Sequence, residues 1–242
     1  MHTSLRPRLV LASASPARHK LLQAAGITPE VLVSGVDEES VTLARADELC
    51  LALARLKMAA VADRLRAASG PTTGPTTGPT TGPTTGPTTG PSDGPPAGST
   101  GVDPLVLGCD SVLSFDGSVL GKPTDAADAA ARWRRMRGRS GVLYTGHALA
   151  SLATGGQATG TAATVVHFAD ITDAELAAYV ATGEPLHVAG AFTIDGLGGP
   201  FLERIEGDHG NVVGLSLPLL RRLVAELGYS IVDLWGAADA GR

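Results

Sequence analysis

Apolar residues along the chain fall into short strand-like runs alternating with helix-like blocks. Arg8 to Ala12 and Glu30 to Ser34 have the runs expected of strands, and Ser15 to Ala25 between them reads as a helix stopped by Gly26. From Thr42 to Ala68 the sequence is rich in Ala, Leu and Arg. Leu49, Leu53, Leu56 and Ala60 recur there at helical spacing, which predicts a long amphipathic helix carrying Lys57. Pro104 to Phe115 predicts a buried strand interrupted at Gly108-Cys109-Asp110-Ser111, with a hairpin turn at Asp116-Gly117. Asp125 to Met136 is helical, and Val142 to Leu152 and Thr161 to Phe168 are strands on either side of a Gly-rich turn. Thr172-Asp173-Ala174-Glu175 has the spacing of a capping box for a helix reaching Ala181. Strand signals near Ala191 to Ile194 and Phe201 to Ile205 precede a last helix from Leu217 to Leu227. The alternation predicts an α/β fold with a mixed sheet flanked by helices.

One segment breaks the pattern. From Gly70 the chain runs through five tandem Pro-Thr-Thr-Gly units and then SDGPPAGSTG. Pro and Gly in every unit interrupt helix and ladder hydrogen bonding, and no apolar face offsets the entropy of ordering, so residues 69–104 are expected to be disordered. Loop closure grows costlier only logarithmically with length, so the insertion is compatible with a single domain over residues 1–242.

Composition narrows the classes of function. At 242 residues and 43% hydrophobic content a sizeable core is available. A formal charge of −5 argues against a broad nucleic-acid-binding face, so no nucleic acid polymer is expected as partner, and an anionic ligand must meet a local cluster of cations. No window supports a membrane span, and two cysteines, Cys50 and Cys109, make no disulfide framework, which favours the cytoplasm. Only Lys20, Lys57 and Lys122 are lysines among 19 basic residues, so each is worth locating, because an ammonium does chemistry that a guanidinium does not.

Chemistry concentrates at a few places. Where the first strand meets the first helix, unpaired N–H groups, Ser13, Ser15 and Arg18 suit a phosphate, while Ser15 followed by Pro16 equally suits plain capping. Asp110, at the end of an apolar strand, is either turn-forming or positioned to hold a metal or orient a water. Gly117 to Pro123 is not a Walker loop, having the wrong glycine spacing and Pro in place of Ser or Thr, yet Lys122 can reach a phosphate from it. Asp37-Glu38-Glu39 is a solvated turn unless another carboxylate converges on it. Gly207-Asp208-His209-Gly210-Asn211 reads as a plain loop.

In this order the segments LVLASASPARHKLLQAAGI, SGVDEES, LARLKMAAVA, VLGCDSVLSFDGSVLGKPTDAADA, GRSGVLYTGHAL, ITDAELAAYVATGEPLHVAGAFTIDGLGG and FLERIEGDHGNVVGLSLPLL resemble the Maf family of nucleoside triphosphate pyrophosphatases. Only the repeat and the two extreme termini fall outside the likeness. The resemblance implies a Maf/ITPase-like fold with a nucleotide cleft and hydrolysis between the α and β phosphates of a nucleoside triphosphate. It implies that Ser13, Arg18, Lys57 and Lys122 bind the phosphates, and that Glu38 and Asp110 hold a divalent metal, Mg²⁺ or Mn²⁺, or the attacking water. Asp110 falls at the presumed proton acceptor. The branch that looks specific for dTTP and UTP has Arg, Thr and Gln where this chain has Ala17, Ser111 and Asp195, so pyrimidine specificity does not carry over. The fold class is compatible with a homodimer, with no interface readable. A competing reading is a nucleotide-binding regulator of septum formation with incidental turnover. A third, a phosphatase with an aspartyl nucleophile, expects a second Asp where Val112 stands.

Overall fold

Residues 7–68 and 103–236 are described by the computed structural model, the side chain of Glu39 excepted. A seven-stranded mixed sheet organises the chain in the order β2-β1-β3-β5-β6-β7, with β4 paired to β3. The strands are β1 (Pro7–Leu11), β2 (Glu30–Val31), β3 (Asp103–Phe115), β4 (Ser118–Leu120), β5 (Ser140–Ser151), β6 (Gln157–Phe168) and β7 (Leu202–Glu206). β1 runs parallel to β2 and β3, and the remaining pairings are antiparallel. The helices are α1 (Pro16–Ala24), α2 (Ala46–Ala68), α3 (Ala126–Met136), α4 (Asp173–Ala181), α5 (His209–Val213) and α6 (Leu217–Glu226). No helix among the described residues is long and apolar enough to cross a membrane.

Alternation along β3 assigns each side chain to a face. Val106 packs with Ala54, Met58 and Val61 of α2, whereas Leu105, Leu107 and Cys109 pack with Leu22, Leu220 and Leu223 under α1 and α6. Farther along, Leu113 and Phe115 join an aromatic cluster in which the Trp133 ring meets Phe168, Tyr179 and Phe201 edge to face. A cleft opens between these packed regions, and β3 runs through its floor.

Two glycines let α2 lie directly on the sheet. A Cβ on Gly108 would stand 2.1 Å from the Ala54 carbonyl oxygen, and one on Gly146 would stand 2.4 Å from the Cys50 carbonyl. In the ladder Gly146 faces Asp110. Close approach, rather than a turn, is therefore the reason for glycine here, and β3 is continuous where the sequence suggested an interruption at residues 108–111.

Other boundaries also move. α2 begins at Ala46 instead of Thr42, which puts Asp47 and Glu48 in its first turn, favourable against the helix dipole. β2 shrinks to an edge pair of two residues. The strand expected near Ala191–Ile194 is absent because Gly190 and Ala191 both have positive φ, 72° and 61°, and turn the chain. The plain loop expected at 207–211 carries α5, capped by Asp208, whose side chain accepts from the Gly210 N–H. The expected disordered segment 69–104 lies outside the described residues except for Asp103 and Pro104, which are in β3; Asp103 is buried. α2 before the repeat and β3 after it pack against each other in adjacent layers.

Candidate active site

The cleft encloses about 1140 Å³, and its wall includes Ser13, Ala17, Arg18, Glu38, Lys57, Asp110, Ser111, Lys122 and Asp195. The nine residues come from six separate segments that the fold draws together.

At the start of α1, Ser15 is the N-cap, its Oγ accepting from the Arg18 N–H, and Pro16 occupies the first turn. Ser13 Oγ accepts from the Ser15 N–H at 3.2 Å and from Arg18 Nη1 at 3.1 Å. The Arg18 guanidinium is buried and largely committed to the protein. Nε donates to the Gly214 carbonyl at 2.7 Å, Nη1 also to the Cys109 carbonyl at 2.9 Å, and Nη2 to Ser111 Oγ at 3.1 Å. Four of its five N–H donors are thus taken by the protein, leaving a focused positive charge and about one free donor for an anion.

From Ser111 the hydrogen bonds run one way. Thr145 Oγ1 donates to the Asn211 carbonyl at 3.0 Å, so its 2.9 Å contact with Ser111 makes Ser111 the donor. The Ser111 hydroxyl proton is therefore used inside the protein. Asn211 is fully buried and donates through Nδ2 to Leu143 and Thr164, fixing α5 and the Val212-Val213 wall of the cleft.

On the opposite face of β3, Lys57 meets two carboxylates. Its Nζ is 2.5 Å from Asp110 Oδ1 and 2.7 Å from Glu38 Oε1, while Lys122 Nζ stands 3.9 Å from Glu38 Oε2. Lys57 occupies the middle of the buried stripe of α2, flanked by Cys50, Leu53, Ala54, Met58 and Val61. Burial raises the Asp110 carboxyl above the usual aspartate range, opposed only in part by the charges of Lys57 and Arg18. Glu38 moves the other way. Burial pushes it up, but the Lys57 hydrogen bond and the charges of Lys57, Lys122 and Arg18 together win and lower it. Two neighbouring acids held apart in this manner suit different tasks: a base with some affinity for a proton, and a permanent anion.

Among the described residues no three His, Cys, Asp or Glu side chains gather into a metal cage. The two carboxylates that share Lys57 nevertheless fit a small hard cation, because Mg²⁺ is commonly held by one or two carboxylates plus the substrate's phosphates.

At the far end of the cleft, Asp195 is exposed on a loop pinned by Glu184. Glu184 accepts from the Thr193 hydroxyl at 2.5 Å, from the Leu197 N–H at 2.9 Å and from the Gly198 N–H at 3.0 Å. Sequence reasoning did not single out Glu184 or Thr145, and it placed Asn211 in a plain loop without a role. For Asn211 a signal was present, since it is the chain's one asparagine. His147 was also passed over. Burial pushes it down to about 4, and as a neutral ring it donates from Nδ1 to the Thr145 carbonyl and accepts the Ser216 N–H at Nε2, tying the start of α6 to β5.

Comparison with known proteins identifies the family. A family model described as Maf-like protein matches residues 8–227. A protein of Salinispora tropica called nucleoside triphosphate pyrophosphatase is 60% identical over 97% of this chain and 90% of its own length. One of Streptomyces coelicolor with the same name is 52% identical over 97% of both chains. A solved Mycobacterium abscessus structure titled nucleoside-triphosphatase / dITP/XTP pyrophosphatase covers 91% of this chain and 96% of its own, at 13% identity and a TM-score of 0.35, too distant to carry an argument. With the match running through every segment that lines the cleft and relatives this similar over nearly its whole length, the chain belongs to the Maf family.

Proposed function

We propose that this chain is a nucleoside triphosphate pyrophosphatase that cleaves the α–β phosphoanhydride, releasing a nucleoside monophosphate and pyrophosphate, and so clears unwanted or modified nucleotides. The observation that carries the reading is Lys57 at the meeting point of Asp110 and Glu38, in a cleft that also holds Ser13, Arg18 and Lys122.

Asp110 takes the proton of the attacking water as oxygen bonds to the α phosphorus and the bond to the bridging β oxygen breaks. A raised carboxyl serves here, because a base with a higher proton affinity accepts a proton more effectively than an ordinary aspartate. Lys57 and Lys122 act as point charges on the triphosphate, and Ser13 with the N–H groups opening α1 receives a phosphoryl oxygen. Arg18 supplies fixed positive charge and holds Ser13 and Ser111 in place. Glu38 and Asp110 would hold a divalent metal, Mg²⁺ or Mn²⁺, which when bound screens the polyanion and lowers the pKa of a coordinated water. Base selection is assigned to Ala17, Ser111 and Asp195. Ala17 offers no side-chain polar group and Ser111 has its proton engaged, which leaves the Asp195 carboxylate as the polar discriminator among the three. No observation separately favours the regulator reading.

Phosphorus NMR of the products tests the proposal. The protein is incubated with Mg²⁺ or Mn²⁺ and a panel of canonical and modified nucleoside triphosphates. Pyrophosphate plus monophosphate is the expected result. Inorganic phosphate plus diphosphate, or no turnover across the panel, overturns it.

A further inference from the structure

The two carboxylates of the cleft already share a cation, and it belongs to the protein. Lys57 Nζ touches Glu38 Oε1 and Asp110 Oδ1, the same pair of side chains assigned above to a divalent ion. Its side chain is 8% exposed, as is that of Asp110, so the contact with Asp110 is shielded from water while the 42% exposed Glu38 is the open side. Lys122 stands beside Glu38, and the charge of Arg18 acts on both acids. Among the described residues Lys57, Lys122 and Arg18 thus act on these two carboxylates before any ligand arrives, while Asp37 and Asp195 line the same cleft. A divalent ion added alone would have to displace or crowd a buried ammonium, placing two further positive charges where Lys57 already sits between the acids, at low effective dielectric. A metal that enters with a triphosphate brings the compensating anion, and the phosphates offer Lys57 a new partner within reach of its flexible four-carbon stem.

We infer that Lys57 is a resident substitute for the divalent ion: it keeps metal out of the nucleotide-free cleft and yields the two carboxylates only when a metal-nucleotide complex arrives. Metal and nucleotide then enter together, and the free enzyme holds no stored metal. This inference rests on the reading that Glu38 and Asp110 are the metal's ligands.

The test is a Mn²⁺ titration of nucleotide-free full-length protein at mildly alkaline pH, followed by electron paramagnetic resonance of the free ion. Wild type is expected to bind Mn²⁺ only weakly. Lys57→Met removes the ammonium and should tighten Mn²⁺ binding by about tenfold or more, since the vacated pair of carboxylates gains an ion it otherwise excludes. Lys57→Arg keeps a cation between the acids and should not tighten. Adding Asp110→Asn to Lys57→Met should abolish the gain, which locates the ion. Tight Mn²⁺ binding by wild type, or no tightening in a folded Lys57→Met protein as judged by circular dichroism, overturns the inference. If Lys57→Met does not fold, wild-type thermal melts decide: a Tm that rises with Mn²⁺ in the absence of nucleotide shows a metal-first site and overturns it, and an unchanged Tm supports it. Failure of the hydrolase reading is seen separately, as absent pyrophosphate in the product spectrum.

Discussion

β3 carries two buried aspartates seven positions apart, and the protein treats them in opposite ways. Asp103, at the start of the strand, is surrounded by neutral donors: Oδ2 accepts from the Ser151 hydroxyl at 2.6 Å and the Tyr229 hydroxyl at 2.5 Å, and Oδ1 from the Ala153 N–H at 2.8 Å. Asp110 is almost as buried, yet its side chain has one hydrogen-bond partner among the described residues, the Lys57 ammonium, and it faces the cleft. A carboxylate whose acceptor positions are filled by fixed dipoles joins β3, β5 and the segment after α6, and has nothing left to react with. One with a single charged partner and a raised proton affinity is costly as structure and useful as chemistry. Burial alone does not distinguish the two acids; the completeness of the hydrogen-bond shell does, and on it rests the catalytic role proposed for Asp110.

Exchanging each acid for its amide makes the contrast sharpest. Asp110→Asn removes the proposed proton acceptor and should lower turnover by about 10²–10⁴-fold with the fold retained, read from steady-state rates beside a thermal melt. The kcat/KM profile of the wild type should fall on the acid side along a limb lying above the ordinary aspartate range, because in the proposed role Asp110 acts ionised and its carboxyl is raised. Stability runs the opposite way with pH. A raised folded-state carboxyl favours the protonated form, so the contribution of Asp110 is lost as pH rises through its folded pKa, and Asp110→Asn should flatten that slope in denaturant titrations at varied pH. An acid limb at or below the usual carboxylate range would contradict the role assigned to Asp110.

The approach of α2 to β3 is the next point of attack. Gly108→Ala inserts a methyl 2.1 Å from the Ala54 carbonyl oxygen, which no rotamer can relieve, so α2 must lift. The overpacking should cost roughly 1–3 kcal/mol or more of unfolding free energy, and it should also carry Lys57 away from Asp110 and reduce turnover. The same methyl at an open glycine such as Gly117, with nothing within 4 Å, meets no atoms, although its φ of 74° makes it a strained comparison. A Gly108→Ala enzyme with full turnover and unchanged stability would show that the helix does not need this contact.

How much of this was legible beforehand follows from what each signal measures. Helices with an apolar stripe and a cap, such as α4 with its Thr172–Glu175 box and α6, stand in the structure where periodicity puts them, because both signals are local. Lys57 was visible as a scarce residue type on a helix, and its depth follows from its place in the Cys50-Leu53-Ala54-Met58-Val61 stripe. Gly108 misled. In one dimension a glycine in a strand looks like an interruption, and only the partner helix shows that it is a contact. Asp103 fell within a stretch whose neighbours are Pro, Gly, Ser and Thr, and its partners Ser151 and Tyr229 lie 48 and 126 positions away, so no local pattern could reveal its shell. For the cleft, residue chemistry singled out Ser13, Arg18, Glu38, Lys57, Asp110 and Lys122, while family likeness supplied the specificity positions and the roles; that they share one cleft was not readable from spacing, because six segments meet there only after the sheet has formed.

Asp103→Asn should show the complementary phenotype to Asp110→Asn. The amide NH₂ confronts donors that need an acceptor, so the protein should lose about 1–3 kcal/mol of stability in chemical denaturation while kcat stays near wild type.

The finest test removes one donor from that shell. Tyr229→Phe deletes the hydroxyl that meets Asp103 Oδ2, but the same oxygen keeps the Ser151 hydroxyl and Oδ1 keeps the Ala153 N–H. The carboxylate is left under-donated rather than unpaired. Tyr229 is only half-buried, so water can replace part of what is lost, and the expected cost is about 1 kcal/mol, visible as a shift of the denaturation midpoint at unchanged slope. Tyr229 does not line the cleft, so kcat and KM should not move. If Tyr229→Phe instead lowered turnover while leaving stability intact, Asp103 would be coupled to the chemistry after all, and the division of the two aspartates by the completeness of their shells would fail at the residue chosen to define it.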